Sequence, residues 1–322
     1  MRLLTCLIVS LVLLTSCASR PHCDKQPRIS WADISTISAD LHTLSSVSLS
    51  GRKTGTEGAA LTRKYLSQRF EQIGLLPWQG QYQHPFSYRR SFSDRVGVNM
   101  IGIIPAEQET NKWRIVMAHY DHLGGNGNRF YPGADDNASG IAGLLQLAQQ
   151  AKSQGNKINL LFVATDAEEP GLYGSYALVD KLKLASTNPN LAQIELAINL
   201  DMIGRPSRNG AIYIEGTRRF DSFSEMSKSL RKGNKICIRT QQPKTFDGSV
   251  ISIDFLRASD HYPFHQAGIP WLYFGVPIHS DYHQQTDTPD KIDMYFIAAV
   301  SESAYQLLKI DSLVLNSPHK MH

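Results

Sequence analysis

The chain has 322 residues, 42% of them hydrophobic, enough to bury a full core as one large domain or two small ones, which excludes a disordered or fibrous protein. Its 33 basic and 29 acidic residues leave a formal net charge of +4. The excess is spread along the length, with no basic run of the kind that binds nucleic acid.

Met1 and Arg2 precede an apolar stretch from Leu3 to Leu14, too short to span a bilayer comfortably, which reads as a secretory signal. It ends in Leu14-Thr15-Ser16-Cys17, which resembles the bacterial lipobox. Cleavage before Cys17 and diacylglyceryl attachment to it would anchor the mature chain at a membrane, each buried CH₂ adding about 0.8 kcal/mol. The expected division is a lipoprotein signal peptide over 1–16, a tether over 17–30 and a single domain over 31–322. The expected location is the bacterial cell envelope. Ala18 follows Cys17 where an aspartate would favour inner-membrane retention, so in a Gram-negative host the anchor would sit in the outer membrane, facing the periplasm. Of the four cysteines, Cys6 leaves with the signal and Cys17 carries lipid. Cys23 and Cys237 remain as the candidate pair in an oxidising compartment, and the sequence does not establish that pairing.

Past the tether, Trp31 to Ser46 and Glu57 to Gly74 carry apolar residues at helical spacing, and Gly74 is a natural C-terminal cap. Short apolar runs then alternate with helical patterns. Val96 to Ile104, Arg114 to Ala118, Asn159 to Ala164, Ala197 to Leu200, Ala211 to Ile214 and Trp271 to Phe274 read as strands. Helices are expected near Ala138 to Ser153, Phe220 to Arg231 and Pro289 to Ile310, the last opened by Thr288 as N-cap with Pro289 at its first position. Alternation of this kind predicts an α/β fold, a three-layer α/β/α sandwich with a mixed, mainly parallel central sheet.

Polar, metal-competent residues stand immediately after several of these strands, where open α/β sheets place their ligands. Arg114 to Ala118 leads into His119-Tyr120-Asp121, Asn159 to Ala164 into Asp166-Ala167-Glu168-Glu169, and Ala197 to Leu200 into Asp201. Trp271 to Phe274 leads on to His279-Ser280-Asp281-Tyr282-His283, and Asp135-Asp136 precede the helix near Ala138. One acidic residue after a strand is ordinarily a solvated loop residue or a cap. Several converging on one side of a sheet would repel one another unless protons or cations compensate. Histidines among them point to zinc, since an all-carboxylate site would suggest magnesium or calcium.

In these motifs the chain resembles the zinc aminopeptidases of the superfamily that also contains glutamate carboxypeptidase II and glutaminyl cyclase, and among them the bacterial leucyl aminopeptidases. The matching segments are His119-Tyr120-Asp121, Gly133 to Gly140, Glu168-Glu169 followed by Gly171, Asn199 to Met202, Ser259-Asp260-His261 and His279 to His283, in the family's order across roughly residues 50 to 310. The resemblance implies two Zn²⁺ bridged by Asp136, with His119 and Asp201 on one and Glu169 and His283 on the other. It also implies a cis Asp136-Asn137 bond. Glu168 would act as general base, accepting a proton from the metal-activated water and passing it to the leaving amine. Asp121, two positions after His119 on a strand, would project from the same face and orient the imidazole.

The activity implied is an aminopeptidase acting on peptide substrates. Two other activities share the scaffold: a carboxypeptidase, for which Arg205, Arg218 or Arg219 would receive the terminal carboxylate, and a glutaminyl-cyclase-like acyltransferase with one zinc. Other residues have plainer readings. Arg205 is expected to meet a structural acid, Ser259 and Asp260 suit a helix cap as well as Asp260 or His261 suits a place beside the substrate, and His122, Asp135, His261 and His279 are not taken as ligands. The oligomeric state is not set by the sequence.

Overall fold

The computed structural model describes residues 27–126, 129–207, 210–231, 234, 236–243 and 253–315. The signal segment, Cys17 and Cys23 lie outside these residues, while Cys237 is disulfide-bonded. Two helices come first. α1 (Ile34–Leu44) is capped by Asp33, whose carboxylate accepts from the Ser35 and Thr36 amides at 2.9 and 3.3 Å. α2 (Glu57–Ile73) starts on Thr56 and stops at Gly74, which takes φ +81° and donates to the Phe70 and Glu71 carbonyls, the left-handed cap its sequence predicts.

Next come β1 (Leu76–Pro77) and a long hairpin, β2 (Gln83–Arg90) with β3 (Ser93–Ile104), closed by Ser91 and Phe92 at φ 49° and 63°. Both loop residues being left-handed matches the twist of a two-residue hairpin. After β4 (Trp113–His119) a small ribbon, β5 (Gly125–Asn126) with β6 (Arg129–Phe130), leads to one irregular turn, 134–139, and α3 (Gly140–Gln154). Then follow β7 (Asn159–Thr165), α4 (Tyr173–Leu182), β8 (Ile194–Leu200), β9 (Ala211–Glu215), α5 (Phe223–Leu230) and β10 (Cys237–Arg239). The described chain ends with α6 (His261–Gln266), β11 (Trp271–Gly275), α7 (Met294–Lys309) and α8 (Ser312–Leu315).

The main sheet runs β1-β3-β7-β4-β8-β11-β9-β10, with β2 paired to β3 outside that path. Its centre, β7-β4-β8-β11, is parallel, and β3 and β9 join it antiparallel. Central strands are buried on both faces. In β4, Val116 and Ala118 pack into the core under α1, α2, α3 and α7, while Ile115 and Met117 face the opposite core with α4. The sheet is therefore sandwiched between helices, as its alternating pattern predicts.

The chain leaves β4 to build β7 on one side and then crosses to β8 on the other, so the connections diverge above the carboxyl end of β4, where the first histidine of the motif stands. One expectation fails at the last helix. Thr288 and Pro289 open only a 3₁₀ turn, Pro289–Lys291, and α7 is capped instead by Asp293, whose carboxylate accepts from the Phe296 amide at 3.0 Å.

Candidate metal centre

His119 is the last residue of β4, Glu168 and Glu169 follow β7, and Asp201 follows β8, so three parallel strands deliver them to one edge. Asp136 comes from the turn before α3. Its position depends on Gly133, whose φ is +56° and where a Cβ would stand 2.2 Å from the Asp136 carbonyl oxygen and 2.5 Å from the His122 ring. The Asp136-Asn137 bond is cis, as the resemblance implies. Asn137 ties this turn to β8: its amide donates to the Leu200 carbonyl at 2.9 Å, and its oxygen accepts from Met202 at 3.1 Å.

The two oxygens of Asp136 face different groups. Oδ1 lies 3.3 Å from His119 Nε2, which is itself 3.4 Å from Asp201 Oδ1. Oδ2 lies 3.1 Å from His283 Nε2, which is also 3.1 Å from Glu169 Oε2. Two groups of metal-competent atoms thus share one carboxylate: His119 with Asp136 and Asp201, and His122 with Asp136 and Glu169, the latter joined by His283. All five residues named as ligands from the motifs come together. His122, not taken as a ligand, stands among them, with Nδ1 2.7 Å from Glu169 Oε1 and 3.8 Å from Asp136 Oδ2. The signal for it was its place one residue past the His119-Tyr120-Asp121 motif.

The charges of the cluster shift one another. Burial works against the charged form of His119, yet Glu168, Asp136 and Asp201 outweigh it and hold the imidazole well above its ordinary pKa. Burial likewise opposes ionisation of Asp136, and His119 and His283 reverse this, keeping it well below the usual carboxylate range. Glu168 goes the other way: burial, with Asp260, Asp201 and Glu169 nearby, pushes it well above that range.

Asp121 acts differently from expectation. Its carboxylate is 3.9 Å from His119 Nδ1, and the nearer partner of that nitrogen is the Asp121 carbonyl, at 3.1 Å. The carboxylate instead accepts from the Glu168 amide at 3.0 Å and the Glu169 amide at 3.4 Å, so it positions the two glutamates. Asp260 caps no helix with its side chain; Oδ2 accepts from Thr165 and Oδ1 is buried without a partner. Arg205 meets a structural acid, Asp281, at 2.5 Å, and also lies 3.2 Å from His279 Nδ1, while His279 Nε2 lies 3.0 Å from Asp135. Arg218 and Arg219 line a separate cavity of about 790 Å³ with Glu215 and Trp271.

Two supports had no sequence signal. Asp287 accepts from the Asp135 and Asp136 amides at 3.0 to 3.1 Å, fixing the turn from below. Arg52, buried among main chain, donates to the carbonyls of Leu44 (2.5 Å), Tyr120 (2.9 Å), Pro132 (2.7 Å) and Gly133 (2.9 Å), joining the end of α1 to the segments that carry His119 and Asp136. Left-handed backbone at Ala167, Met202 and His283, φ 55° to 57°, marks three of the segments that aim cluster residues.

Residues 99–308 match the model of peptidase family M28. The aminopeptidase YwaD of Bacillus subtilis is 33% identical over 56% of the chain and 36% of its own length. The chain spans about half the length of the curated relatives it matches. Among solved structures, BSAP, a zinc aminopeptidase from Bacillus subtilis, superposes with a TM-score of 0.67 at 18% identity, covering 87% of this chain and 96% of that one. A glutaminyl cyclase from Bacteroides thetaiotaomicron superposes with a TM-score of 0.68 at 19% identity, covering 88% and 100%. At such identity these two establish a common fold, the α/β sandwich read from the sequence.

Proposed function

The chain belongs to peptidase family M28, and from that premise we propose that it is a zinc-dependent exopeptidase, an aminopeptidase that releases N-terminal residues from peptides. The observation that carries this reading is the division of Asp136, one oxygen toward His119 and Asp201, the other toward His283 and Glu169. The donor set fits zinc. Imidazole nitrogen and carboxylate oxygen converge, and Asp136 Oδ2 and His283 Nε2 are buried without hydrogen-bond partners. Such orphaned acceptors are what cations satisfy.

In this proposal His119, Asp136 and Asp201 hold one Zn²⁺ and Asp136, Glu169 and His283 the other, with His122 steadying Glu169. Zinc, when bound, would lower the pKa of a bound water and polarise the scissile carbonyl. Glu168 accepts the proton of the attacking water and hands it to the leaving amine. Asp121 fixes the Glu168 backbone from behind. The curated relative named an aminopeptidase supports cleavage at the amino end. So does the engagement of Arg205 by Asp281, which removes one receptor for a C-terminal carboxylate.

Glu168→Gln in the purified protein is expected to cut kcat by about 10²- to 10⁴-fold while zinc stays bound; near-normal turnover would sink the mechanism. A panel of peptides with free or blocked termini decides the end attacked. Cleavage that survives N-terminal acetylation but is lost on C-terminal amidation would reassign the enzyme as a carboxypeptidase. Cyclisation of N-terminal glutamine peptides with one bound zinc would reassign it as an acyltransferase.

Location follows from the first segment of the sequence. We propose a lipid anchor on Cys17 in the bacterial envelope, with residues 31–322 forming the peptidase domain. Cys17→Ser is expected to move the protein from the membrane fraction to the soluble one, and an unchanged distribution would refute the anchor.

A further inference from the structure

A cavity of about 390 Å³ opens beside the metal centre, lined by Asp121, His122 and Glu169 among others. Lys53, Arg90 and Arg95, all exposed, line it too, with the half-buried Tyr88. The two arginines come from the β2–β3 hairpin, on either side of the Ser91-Phe92 turn, and Lys53 precedes α2.

These cations do not neutralise the acids near them. Asp121 is taken up by the Glu168 and Glu169 amides and by Thr54, and Glu169 by His122 and His283. No ion pair or hydrogen bond joins the side chain of Lys53, Arg90 or Arg95 to another described residue, unlike Arg69, Arg114 and Arg205, which are paired. The hairpin is also held in place. Tyr88 stacks on Tyr173 at 4.3 Å with 25° between the rings, and the Tyr173 hydroxyl donates to the Arg89 carbonyl at 3.3 Å. Tyr173 is the first residue of α4, four positions past Glu169, so the hairpin and the loop that carries the glutamates are fixed to each other.

We infer that this cleft selects substrates bearing a carboxylate next to the scissile bond. The inference rests on the peptidase reading above. Three uncompensated cations at the mouth of a cleft draw in an anion, and a substrate carboxylate set among them gains from each. At roughly 8 Å in water-like surroundings each cation contributes about a two- to threefold preference, close to tenfold for three at low salt. Two sources offer the same group: an acidic side chain on the residue after the cleaved bond, and the free C-terminus of a short peptide.

Two matched pairs separate these sources: Leu-Asp-Ala-amide against Leu-Asn-Ala-amide, and Leu-Ala against its amide. Leucine release gives kcat/KM for the zinc-loaded enzyme, and calorimetry on the Glu168→Gln protein gives Kd without turnover. At low ionic strength at least one anionic member is expected to lead its partner by about tenfold, falling to about 1.5-fold in 0.5 M NaCl as screening sets in. The triple substitution Lys53→Gln, Arg90→Gln, Arg95→Gln is expected to bring both ratios within about twofold of unity, whereas Lys228→Gln, which removes an exposed charge on α5, leaves them as they were. Wild-type ratios near one, or ratios that the triple substitution does not move, overturn the inference. Should no leucine be released while the calorimetric preference persists, the cleft stands and the aminopeptidase reading falls.

Discussion

Replacing Arg52 by methionine is expected to loosen the metal centre from behind, without touching any residue of it. The guanidinium is 1% exposed and donates to four main-chain carbonyls drawn from three segments. Burial lowers its pKa to about 10, with Asp136, Asp287, Asp121 and Glu169 opposing, so it is charged at neutral pH. Methionine fills much of the volume and satisfies none of the carbonyls. Each orphaned acceptor costs about 1–3 kcal/mol before relaxation, while the desolvation of the cation is relieved; removing one partner from a buried charge network nets about 3–5 kcal/mol. Tyr120 and Gly133 flank the segments that carry His119 and Asp136, so zinc affinity is expected to drop by about 10- to 100-fold as well. Lysine is expected to recover less than half of the loss, since it cannot reproduce the planar fork. Urea unfolding followed by tryptophan fluorescence and competition with a zinc chelator measure the two effects. A stability change under about 1 kcal/mol with unaltered zinc affinity would refute the assignment of Arg52 as the tie between these segments.

If the proposed pair of zinc ions is present, Asp136→Ala, which removes the shared carboxylate, is expected to bring zinc content from two per chain to below one after dialysis, as read by metal analysis; retention of both ions would show that the bridge lies elsewhere. His261 provides a test in acid. It is wholly buried between Trp271 and Tyr273, at ring distances of 4.4 and 4.9 Å, and burial pushes its pKa down to about 3. The folded protein therefore keeps it neutral, while the unfolded chain protonates it below about pH 6.5. Its contribution is intact above that pH and is lost as pH falls toward 3, at about 1.4 kcal/mol per unit, or roughly 2 kcal/mol between pH 6.5 and 5. Comparing wild type with His261→Gln at each pH cancels the titration of the His119, Asp136 and Glu169 cluster. Equal acid slopes in the two proteins would contradict a neutral buried imidazole.

What the sequence made legible was whatever has a local cause. β4, β7, β8 and β11 are short apolar runs buried on both faces, and each site residue following them was visible as a polar residue just past an apolar stretch. The β2 strand was missed because it runs along the outside of the sheet with polar residues such as Gln83, Arg89 and Arg90 exposed, and its turn uses Ser91 and Phe92 where glycine or asparagine would have signalled a hairpin. Thr288-Pro289 has the chemistry of a helix start, and the chain spends it on a 3₁₀ turn because Asp293 captures the real N-terminus five residues later. Arg52 and Asp287 were beyond reach for a different reason. Their partners are main-chain groups, most of them 68 to 152 residues away, and a main-chain carbonyl looks the same under every side chain.

The shared Asp136 carboxylate has a consequence for how such a centre can change. Because one rigid group offers an oxygen to each side, rotation of its side chain alters both halves together. Occupancy of one half would fix the carboxylate in the orientation that the other requires, so filling and emptying are expected to be thermodynamically linked, with a chelator titration steeper than that of two independent sites. Substitution at His283 would leave the Asp136 oxygen that faces it buried without that partner, a cost that the half formed by His119 and Asp201 would share.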